Sequence, residues 1–351
     1  MVKNLDFVAL YDFFEKNKFT VLYSFHNSYA NAYFSGIIPL GVINFMQKRY
    51  NAFSDAVTQE FGEKLYKLSL SAGCTCPNRD GTLDTRGCIF CSAGGSGDFA
   101  ESTQGSIHEQ IERAKTQVQK KFKGEHYIAY FQSYTNTYGD VKRLSEIFNA
   151  AIHEDCIRAI SIGTRPDCLS DEILEMLEAL QTEKPVFVEL GLQTIHERTA
   201  EFIRRGYPLS VYDEAVKKLN KIGVRVVTHV ILGLPGETRE EMLETVRYVG
   251  ESGAEGIKLQ LLHILRGTDL ETLYNKGAFQ TMTLEEYADL LCDCIELLPP
   301  EIVIHRLTGD APKKLLVAPL WSADKKRVLN TIQRTFKDRD VRQGAKTGCL
   351  L

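Results

Sequence analysis

The chain has 351 residues, which is enough for one large α/β domain or two ordinary domains. Its hydrophobic content of 44% and its charged content of 25% are ordinary for a soluble globular protein. The formal net charge of −4 excludes a polycation built to neutralise phosphate backbones, although a local basic face remains open.

The cysteines and the apolar segments indicate the compartment. Four of the nine cysteines lie in one loop, which is not the distribution of a disulfide framework and favours a reducing compartment. Residues 1–20 mix charges with aromatic residues and lack the apolar core of a secretory signal. The apolar stretch 34–45 contains a proline and is too short to span a bilayer. We therefore expect a soluble, cytoplasmic protein with no membrane association.

Residues 1–45 differ in composition from the rest of the chain. They are rich in Tyr, Phe and Asn, and no strong helix or strand period runs through them. A segment of normal composition begins at Met46. We expect residues 1–45 to be either a loosely packed extension or an artefact of gene-start assignment, with Met46 as the functional start.

From Lys64 onward, segments with strand and helix periods alternate. The predicted strands are 64–71, 125–132, 159–164, 185–192, 223–232 and 256–262, and the predicted helices are 107–122, 141–153, 170–180, 195–202, 211–222 and 238–250. This alternation predicts a parallel sheet covered by helices, although periodicity does not separate an open sheet from a (β/α) barrel. In both architectures ligands bind at the carboxyl ends of the strands, where this chain has Gly-rich or polar turns.

The pattern changes after Thr283. A helix over 284–297, a Pro299-Pro300 break, a strand at Ile302–Ile304 and a final helix near 322–336 follow one another. We expect residues 284–351 to form a small C-terminal α/β unit packed on a barrel of residues 46–283.

The loop of residues 72–100, AGCTCPNRDGTLDTRGCIFCSAGGSGDFA, carries the chemistry. The spacing Cys76-x11-Cys88-x2-Cys91 offers three thiolates, which suit either an iron–sulfur cluster or zinc. Cys74 is one residue from Cys76, and in extended backbone the two side chains point to opposite faces. On a four-iron cubane, three thiolate ligands would leave one iron open for reaction.

The segments Cys76-Pro-Asn-Arg-Asp-Gly81 and Gly87-Cys88-Ile-Phe-Cys91 resemble the cluster motif of radical S-adenosylmethionine (SAM) enzymes. More narrowly, the chain from about Met46 onward resembles the YhcC/YtqA-type family, which is related to the Elongator catalytic subunit and to oxygen-independent coproporphyrinogen oxidase. Four further segments share in the resemblance: Thr164–Asp167, Glu189–Thr194, Gly233–Glu237 and Arg306–Asp310.

This resemblance implies a partial (β/α)6 TIM-like barrel with a [4Fe–4S] cluster on Cys76, Cys88 and Cys91. The open iron would bind the amino and carboxylate groups of SAM. An electron from a flavodoxin- or ferredoxin-like donor would then cleave SAM to methionine and a 5′-deoxyadenosyl radical, which abstracts hydrogen from a substrate. The narrower family shares the x11 spacing, and Cys74 is treated as a neighbour of the ligands.

The resemblance implies three SAM contacts, and the chemistry of Arg165 adds a fourth; each residue also has a plainer structural alternative. Phe90 would pack on the adenine or belong to the core. Gln193 and His229 occupy positions that contact SAM in the coproporphyrinogen oxidase family, but they could be a capping amide and a satisfied core histidine. Arg165 could hold the methionine carboxylate or form a salt bridge with Asp167 or Glu189.

Other features are less specific. The Gly-Gly-Glu-like turn of the superfamily is replaced by residues 131–138, FQSYTNTY, so hydroxyl, amide or carbonyl groups would receive the SAM amino group. The Arg204-Arg205 pair is interpreted as a solvated helix face. The substrate stays unknown, with tRNA a candidate through the kinship with Elongator. The competing function is a non-catalytic zinc or thiol knob that binds a partner.

Overall fold

The computed structural model describes residues 48–95 and 97–348, together with the backbone of two earlier strands. These strands, β1 (Thr20–His26) and β2 (Tyr29–Ser35), pair antiparallel with Thr20 opposite Ser35 and His26 opposite Tyr29. The rest of the segment 1–45, including the proposed start near Met46, lies outside the described residues. The absence of a strong sequence period therefore did not preclude a regular hairpin.

A seven-stranded, all-parallel sheet organises residues 49–351. Its strands lie side by side in chain order: β3 (Tyr66–Leu70), β4 (Tyr127–Phe131), β5 (Ile157–Thr164), β6 (Val186–Gln193), β7 (Arg225–Leu232), β8 (Gly256–Leu261) and β10 (Val303–Arg306). Two short strands, β9 (Ile264–Leu265) and β11 (Leu316–Ala318), pair antiparallel beyond it.

Helices connect the strands and cover the outside of the sheet. They are α1 (Phe53–Phe61), α2 (Ile107–Val118), α3 (Val141–Ile152), α4 (Asp171–Glu183), α5 (Glu197–Phe202), α6 (Leu209–Lys221), α7 (Arg239–Glu251), α8 (Asp269–Asn275), α9 (Leu284–Leu297) and α10 (Lys325–Asp338). Local sequence defines several starts, since Ser106, Thr238 and Thr283 each form a capping box with the Glu three residues later. Ser170 caps α4 by accepting from the Ile173 amide, as predicted.

The sheet curls around a lumen. Lys258 on β8 donates to the hydroxyl of Tyr130 on β4 at 3.2 Å. In a flat sheet these two strands, four spacings apart, would be separated by about 19 Å. Side chains from such distant strands meet only if the sheet bends into a partial barrel. The predicted α/β partial-barrel fold is thereby confirmed.

Helix α1 closes the amino end of this lumen. Val57 packs with a set of inward-facing residues from four successive strands, which are Ile128, Ala159, Phe187 and Val227. All five side chains are nearly or fully buried. This apolar floor is about one residue layer deep, and the polar residues described below lie between it and the carboxyl ends of the strands.

One strand differs from the sequence prediction. The strand expected at Ile302–Ile304, in a separate C-terminal unit, is β10, which pairs in parallel with β8 and extends the main sheet from six to seven strands. Short strands carry no sequence signal for their pairing partner, because pairing depends on contacts between residues far apart in the chain. The sequence correctly predicted a strand at this position, but it did not predict that the strand joins the main sheet.

Candidate cofactor-binding site

The cysteine loop follows β3 and lies at the carboxyl ends of the strands. Cys76, Cys88 and Cys91 line one wall of a cavity of about 1460 Å³ that continues down into the lumen. The loop therefore brings together the three thiols that the sequence predicts as metal ligands.

Turns within the loop set the positions of these cysteines. The Arg79 amide donates to the Cys76 carbonyl at 2.8 Å, and the Cys91 amide donates to the Cys88 carbonyl at 3.0 Å. Gly87 has a φ of +78°, which a residue with a Cβ adopts only at a cost, and its amide donates to the Asn78 carbonyl at 2.7 Å. Each cysteine thus sits at a tight turn.

Donors surround the thiols. The Asn78 side-chain amide lies 3.4 Å from Cys88 Sγ, and the Arg79 guanidinium donates to the Cys91 carbonyl at 2.9 Å. Burial raises the pKa of the Cys88 thiol to about 11, and the neighbouring Cys91 adds to this rise. A cationic metal centre would reverse that rise, because it favours the thiolate form. Three thiols that line one cavity, with nearby N–H donors, are a donor set that fits an iron–sulfur cluster.

Cys74 belongs to a different environment. Its sulfur lies 3.7 Å from Nη2 of Arg143 on α3, and the side chain packs against the main core. Cys74 is not among the described residues that line the cavity. Burial raises the pKa of this thiol.

The arrangement does not resemble a closed zinc site. Across residues 48–95 and 97–348, no group of three His, Cys, Asp or Glu side chains converges closely enough to hold a single metal ion. A structural zinc ion needs four ligands around one point, whereas a cubane cluster spreads its cysteines over a larger body.

Phe90 lies between the last two cysteines and faces the cavity. Its ring packs on an apolar cluster that includes Ile203, Leu234 and Leu262. The adjacent Ile89 anchors this turn, since its amide donates to the Ile203 carbonyl at 3.2 Å and its carbonyl accepts from Leu270 at 3.0 Å. Phe90 is thus both a cavity residue and part of a small core.

Arg165 also lines the cavity, and its guanidinium is already engaged. It donates to both carboxylate oxygens of Asp167, at 2.9 and 2.7 Å, and to the Arg205 carbonyl at 2.9 Å. Of the two salt bridges considered from the sequence, the structure has the one to Asp167.

The pair Arg204-Arg205 is not the solvated helix face that the sequence suggested. Arg205 is 2% exposed, and its guanidinium donates to the Thr194 carbonyl at 2.6 Å. Arg204 forms an ion pair with Asp269. A buried arginine on a short connection is indistinguishable by sequence pattern from an exposed one, because its partners are backbone carbonyls.

Gln193 ends β6 with a φ of +66° and faces the cavity. In the orientation that satisfies its amide, the side-chain nitrogen donates to the carbonyls of Gly191 and Leu192, at 3.1 and 2.9 Å. A non-glycine residue in the left-handed region is uncommon and often marks a functional position. The amide therefore caps its own strand at the cavity wall.

His229 points into the lumen from β7. Its Nε2 lies 2.7 Å from a Glu189 carboxylate oxygen, and its Nδ1 lies 3.1 Å from the Gln260 amide nitrogen. Burial and Lys258 together lower the pKa of His229 to about 4, so the ring is neutral at pH 7. A neutral ring that donates to Glu189 and accepts from Gln260 satisfies both partners.

Glu189 is the centre of a buried polar layer that spans the lumen. Its carboxylate, with no exposed side-chain surface, accepts from Lys67 at 2.6 Å, from Ser161 at 2.7 Å and from Lys258. Although burial acts to raise it, Lys258 and Lys67 hold the pKa of Glu189 well below its usual range. We name Lys67, Ser161, Glu189, His229 and Lys258 the lumen polar layer.

The sequence gives a usable but ambiguous signal for this layer. Lys258 interrupts the apolar strand GIKLQLL, and Glu189 interrupts PVFVELGL. A charged residue within an apolar parallel strand requires a buried partner, because an unpaired charge there is costly. Which residue supplies that partner depends on the curl of the sheet.

Residues 131–138, expected to replace the superfamily's SAM-binding turn, contact the cysteine loop directly. The Tyr134 hydroxyl donates to the Ala93 carbonyl at 2.7 Å, and the Thr135 amide donates to the Thr75 carbonyl at 3.2 Å. Tyr134 itself has a φ of +58°. The segment therefore braces the loop from the neighbouring strand.

A partial barrel with three cysteines in the loop after its first sheet strand is the architecture of a radical SAM protein. The radical SAM superfamily model matches residues 84–249, and the radical SAM C-terminal domain model matches residues 254–338. The archaeal Elp3 of Methanocaldococcus infernus, solved without its N-terminus, has the same fold, with a TM-score of 0.61 at 16% identity over 80% of this chain and 64% of that one.

Sequence relatives narrow the class. YtqA of Bacillus subtilis is 43% identical over 85% of this chain and 92% of its own length, and YhcC of Escherichia coli K12 is 36% identical over 86% and 97%. A tRNA uridine(34) acetyltransferase of Dehalococcoides mccartyi is 31% identical over 52% of this chain, but the match spans only 39% of that protein. The chain belongs to the YhcC/YtqA-type family of radical SAM enzymes.

Proposed function

We propose that Cys76, Cys88 and Cys91 hold a [4Fe–4S] cluster and that the adjoining cavity binds S-adenosylmethionine. The observation that supports this proposal is that the three thiols line the same cavity, with Asn78 and Arg79 beside them. When bound, the cluster and SAM would supply a 5′-deoxyadenosyl radical that abstracts hydrogen from a substrate.

The chain's own contribution is to hold the thiols and to shape a partly enclosed chamber. Helix α1 and its apolar contacts exclude water from the amino end of the lumen. The Asn78 amide and nearby N–H groups stabilise negative charge on sulfur. In this proposal Cys74 has no ligand role, because its sulfur faces Arg143 and the core.

Four cavity residues are proposed to contact SAM. Phe90 offers an aromatic face to the adenine, and Gln193 and His229 offer polar groups at the end of β6 and within β7. The Arg165 guanidinium already donates to Asp167. To bind the methionine carboxylate as well, it would have to share its donors between the two carboxylates. Substituting Phe90, Gln193 or His229 by Ala should weaken SAM binding more than it changes iron content.

The reductant is proposed to be a flavodoxin- or ferredoxin-like protein, because reductive cleavage of SAM requires an external electron. The free cysteines of the described chain fit a reducing, cytoplasmic location. Within the described residues, no helix has the length and apolar character needed to cross a bilayer.

A tRNA substrate is a second candidate, favoured by the resemblance to the tRNA uridine(34) acetyltransferase. The chain's net charge of −4 gives little general attraction to RNA. Transfer of deuterium from a labelled candidate RNA into 5′-deoxyadenosine would identify the substrate. Absence of transfer from RNA labelled at every carbon-bound position would remove this candidate.

The cluster proposal is tested by anaerobic purification with iron, sulfide and zinc assays, followed by a reduction assay with SAM. We expect iron and sulfide in equal amounts and release of 5′-deoxyadenosine, both lost in Cys88→Ala. Cys156→Ala, which alters a half-buried thiol outside the cavity wall, is the matched control and should keep both. Stoichiometric zinc without iron–sulfur absorption would end the proposal.

A further inference from the structure

The lumen polar layer is unbalanced in charge. The Glu189 carboxylate faces two ammonium groups, those of Lys67 and Lys258, and His229 is neutral. Arg306 on β10 lines the same cavity and acts electrostatically on Lys258. Positive groups therefore outnumber the single carboxylate.

Among the described residues, Arg306 has no side-chain partner. Within the part of the chain that the structure describes, its guanidinium forms no hydrogen bond or ion pair, whereas Lys67 and Lys258 both reach Glu189. The neighbouring His305 has a buried Nδ1 that also lacks a hydrogen-bond partner among these residues. Two adjacent side chains on one strand thus have polar atoms without a partner among the described residues, and those of Arg306 are donors.

A purely structural network would not need this excess. One lysine suffices to pair with one buried carboxylate, and each further buried cation costs free energy unless an anion offsets it. The side chain of Lys258 is 3% exposed and that of Lys67 is 19% exposed, so both ammonium groups are largely removed from water. An anionic group beside Lys258 would favour its charged form.

The layer is positioned for a ligand deep in the cavity. Glu189 precedes Gln193 by four residues on β6, which corresponds to about 13 Å along the strand towards the amino end. The described lining of the cavity contains nine Lys or Arg residues and five Asp or Glu residues, and two of the nine, Arg165 and Arg205, pair with Asp167 and Glu197 outside it. The local excess of positive charge lies deep in the cavity, where Lys67, Lys258 and Arg306 share the single carboxylate of Glu189, and such an excess attracts anions.

We infer that Lys67, Lys258 and Arg306 form a binding site for a phosphate or carboxylate group of the substrate, below the level of the cysteines. This inference rests on the proposed function in one respect, namely that the bound anionic group belongs to the substrate of the proposed radical reaction. Glu189 holds the two lysines in place, and Arg306 supplies the donors that remain open. The aromatic rings of Phe53 and Tyr130, 4.9 and 4.8 Å from Lys67 Nζ, keep that ammonium in the lumen.

The inference is tested by calorimetric titration of the anaerobic, cluster-loaded protein with inorganic phosphate and, separately, with acetate, both before SAM is added. We expect saturable binding of one anion per chain. The anion with the lower Kd identifies the kind of group that the substrate carries.

Three variants locate the site. Arg306→Gln should raise the Kd at least about tenfold, the change expected when a charge-assisted hydrogen bond is lost. Because Arg306 has no described partner, this substitution leaves no group unpaired and should preserve the fold. Lys67→Met should also raise the Kd, whereas Glu189→Gln should lower it by removing the competing carboxylate.

Lys121→Met is the matched control, since Lys121 lines the outer part of the same cavity after α2. Its Kd should stay within about twofold of wild type. The inference would be overturned by any of three results. These are an equal loss of anion affinity in Lys121→Met and Arg306→Gln, a higher Kd in Glu189→Gln, and displacement of the bound anion when SAM is added. Iron content and 5′-deoxyadenosine release, measured on the same preparations, report separately on the cluster proposal.

Discussion

The side-chain amide of Asn78 lies 3.4 Å from Cys88 Sγ and 2.7 Å from the Arg204 carbonyl oxygen. One residue of the cysteine loop thus joins a thiol to the connection that follows α5. The Cys88 sulfur also lies 3.6 Å from that carbonyl. Asn78 therefore couples the position of Cys88 to the barrel rather than to the loop alone.

This link predicts a change in redox properties for Asn78→Leu. Hydrogen bonds to cluster sulfurs favour the more negative, reduced state, so their loss should lower the reduction potential. A bond of about 1 kcal/mol corresponds to roughly 40 mV for one electron. Potentiometric titration followed by electron paramagnetic resonance measures the shift. Thr82→Val, in the exposed part of the loop, is the control, and an unchanged potential in Asn78→Leu would contradict the assigned contact.

Gly87→Ala should cost the protein its cluster. At this position φ is +78°, and an added Cβ would lie 2.8 Å from Arg79 Nε, which would displace the guanidinium from the Cys91 carbonyl. Gly223→Ala is the matched control, because φ there is +73° and nothing lies within 4 Å of the added Cβ. Both variants should lose about 1 kcal/mol of unfolding free energy, but only Gly87→Ala should lose iron. Equal iron content in the two would show that Arg79 does not hold the loop.

We expect three of the four cysteines in the loop to be cluster ligands and the fourth, Cys74, not to be one. Cys74→Ala should retain iron and sulfide, because its sulfur contacts Arg143 outside the cavity wall. Cys76→Ala and Cys91→Ala should lose them. Iron and sulfide analysis after anaerobic reconstitution checks the division, and loss of the cluster in Cys74→Ala would refute it.

His229 should make stability depend on pH. Its pKa is about 4 in the folded protein, against an ordinary value of 6.5, because burial disfavours the charged ring. The contribution of His229 to the free energy of unfolding is complete above pH 6.5 and is lost as the pH falls through about 4. Its total size is roughly 3 kcal/mol. In His229→Gln, this part of the decline in the free energy of unfolding should be absent. Urea unfolding of both proteins at pH 7 and pH 4.5 measures it, and parallel declines would exclude His229 as the cause.

Much of the architecture follows from local sequence. The alternation of strands and helices and the Ser170 cap were predicted correctly, because each depends on neighbours within one element. The pairing of β10 with β8 was not, since two short strands meet there through contacts between distant parts of the chain. Prediction succeeded where the determining contacts are local.

The site shows the same limit. The sequence predicts Cys76, Cys88 and Cys91 as ligands and Cys74 as their neighbour; the first three line the cavity and Cys74 contacts Arg143, but the ligand set itself stays a prediction. The sequence allowed a salt bridge from Arg165 to either Asp167 or Glu189, and only the fold shows that Asp167 is the partner. The lumen polar layer was missed because its members come from five strands and meet only after the sheet curls.

The closure of the lumen by α1 has a kinetic consequence. Because Val57 and its neighbours close the amino end, a molecule can approach Lys67 from the carboxyl end of the lumen or past the open edge of the sheet at β3. SAM bound at the level of Cys76 and Phe90 would obstruct the first of these routes. A ligand that enters by the carboxyl end should therefore bind before SAM and leave after it, and initial-rate kinetics should show this order as inhibition by excess SAM.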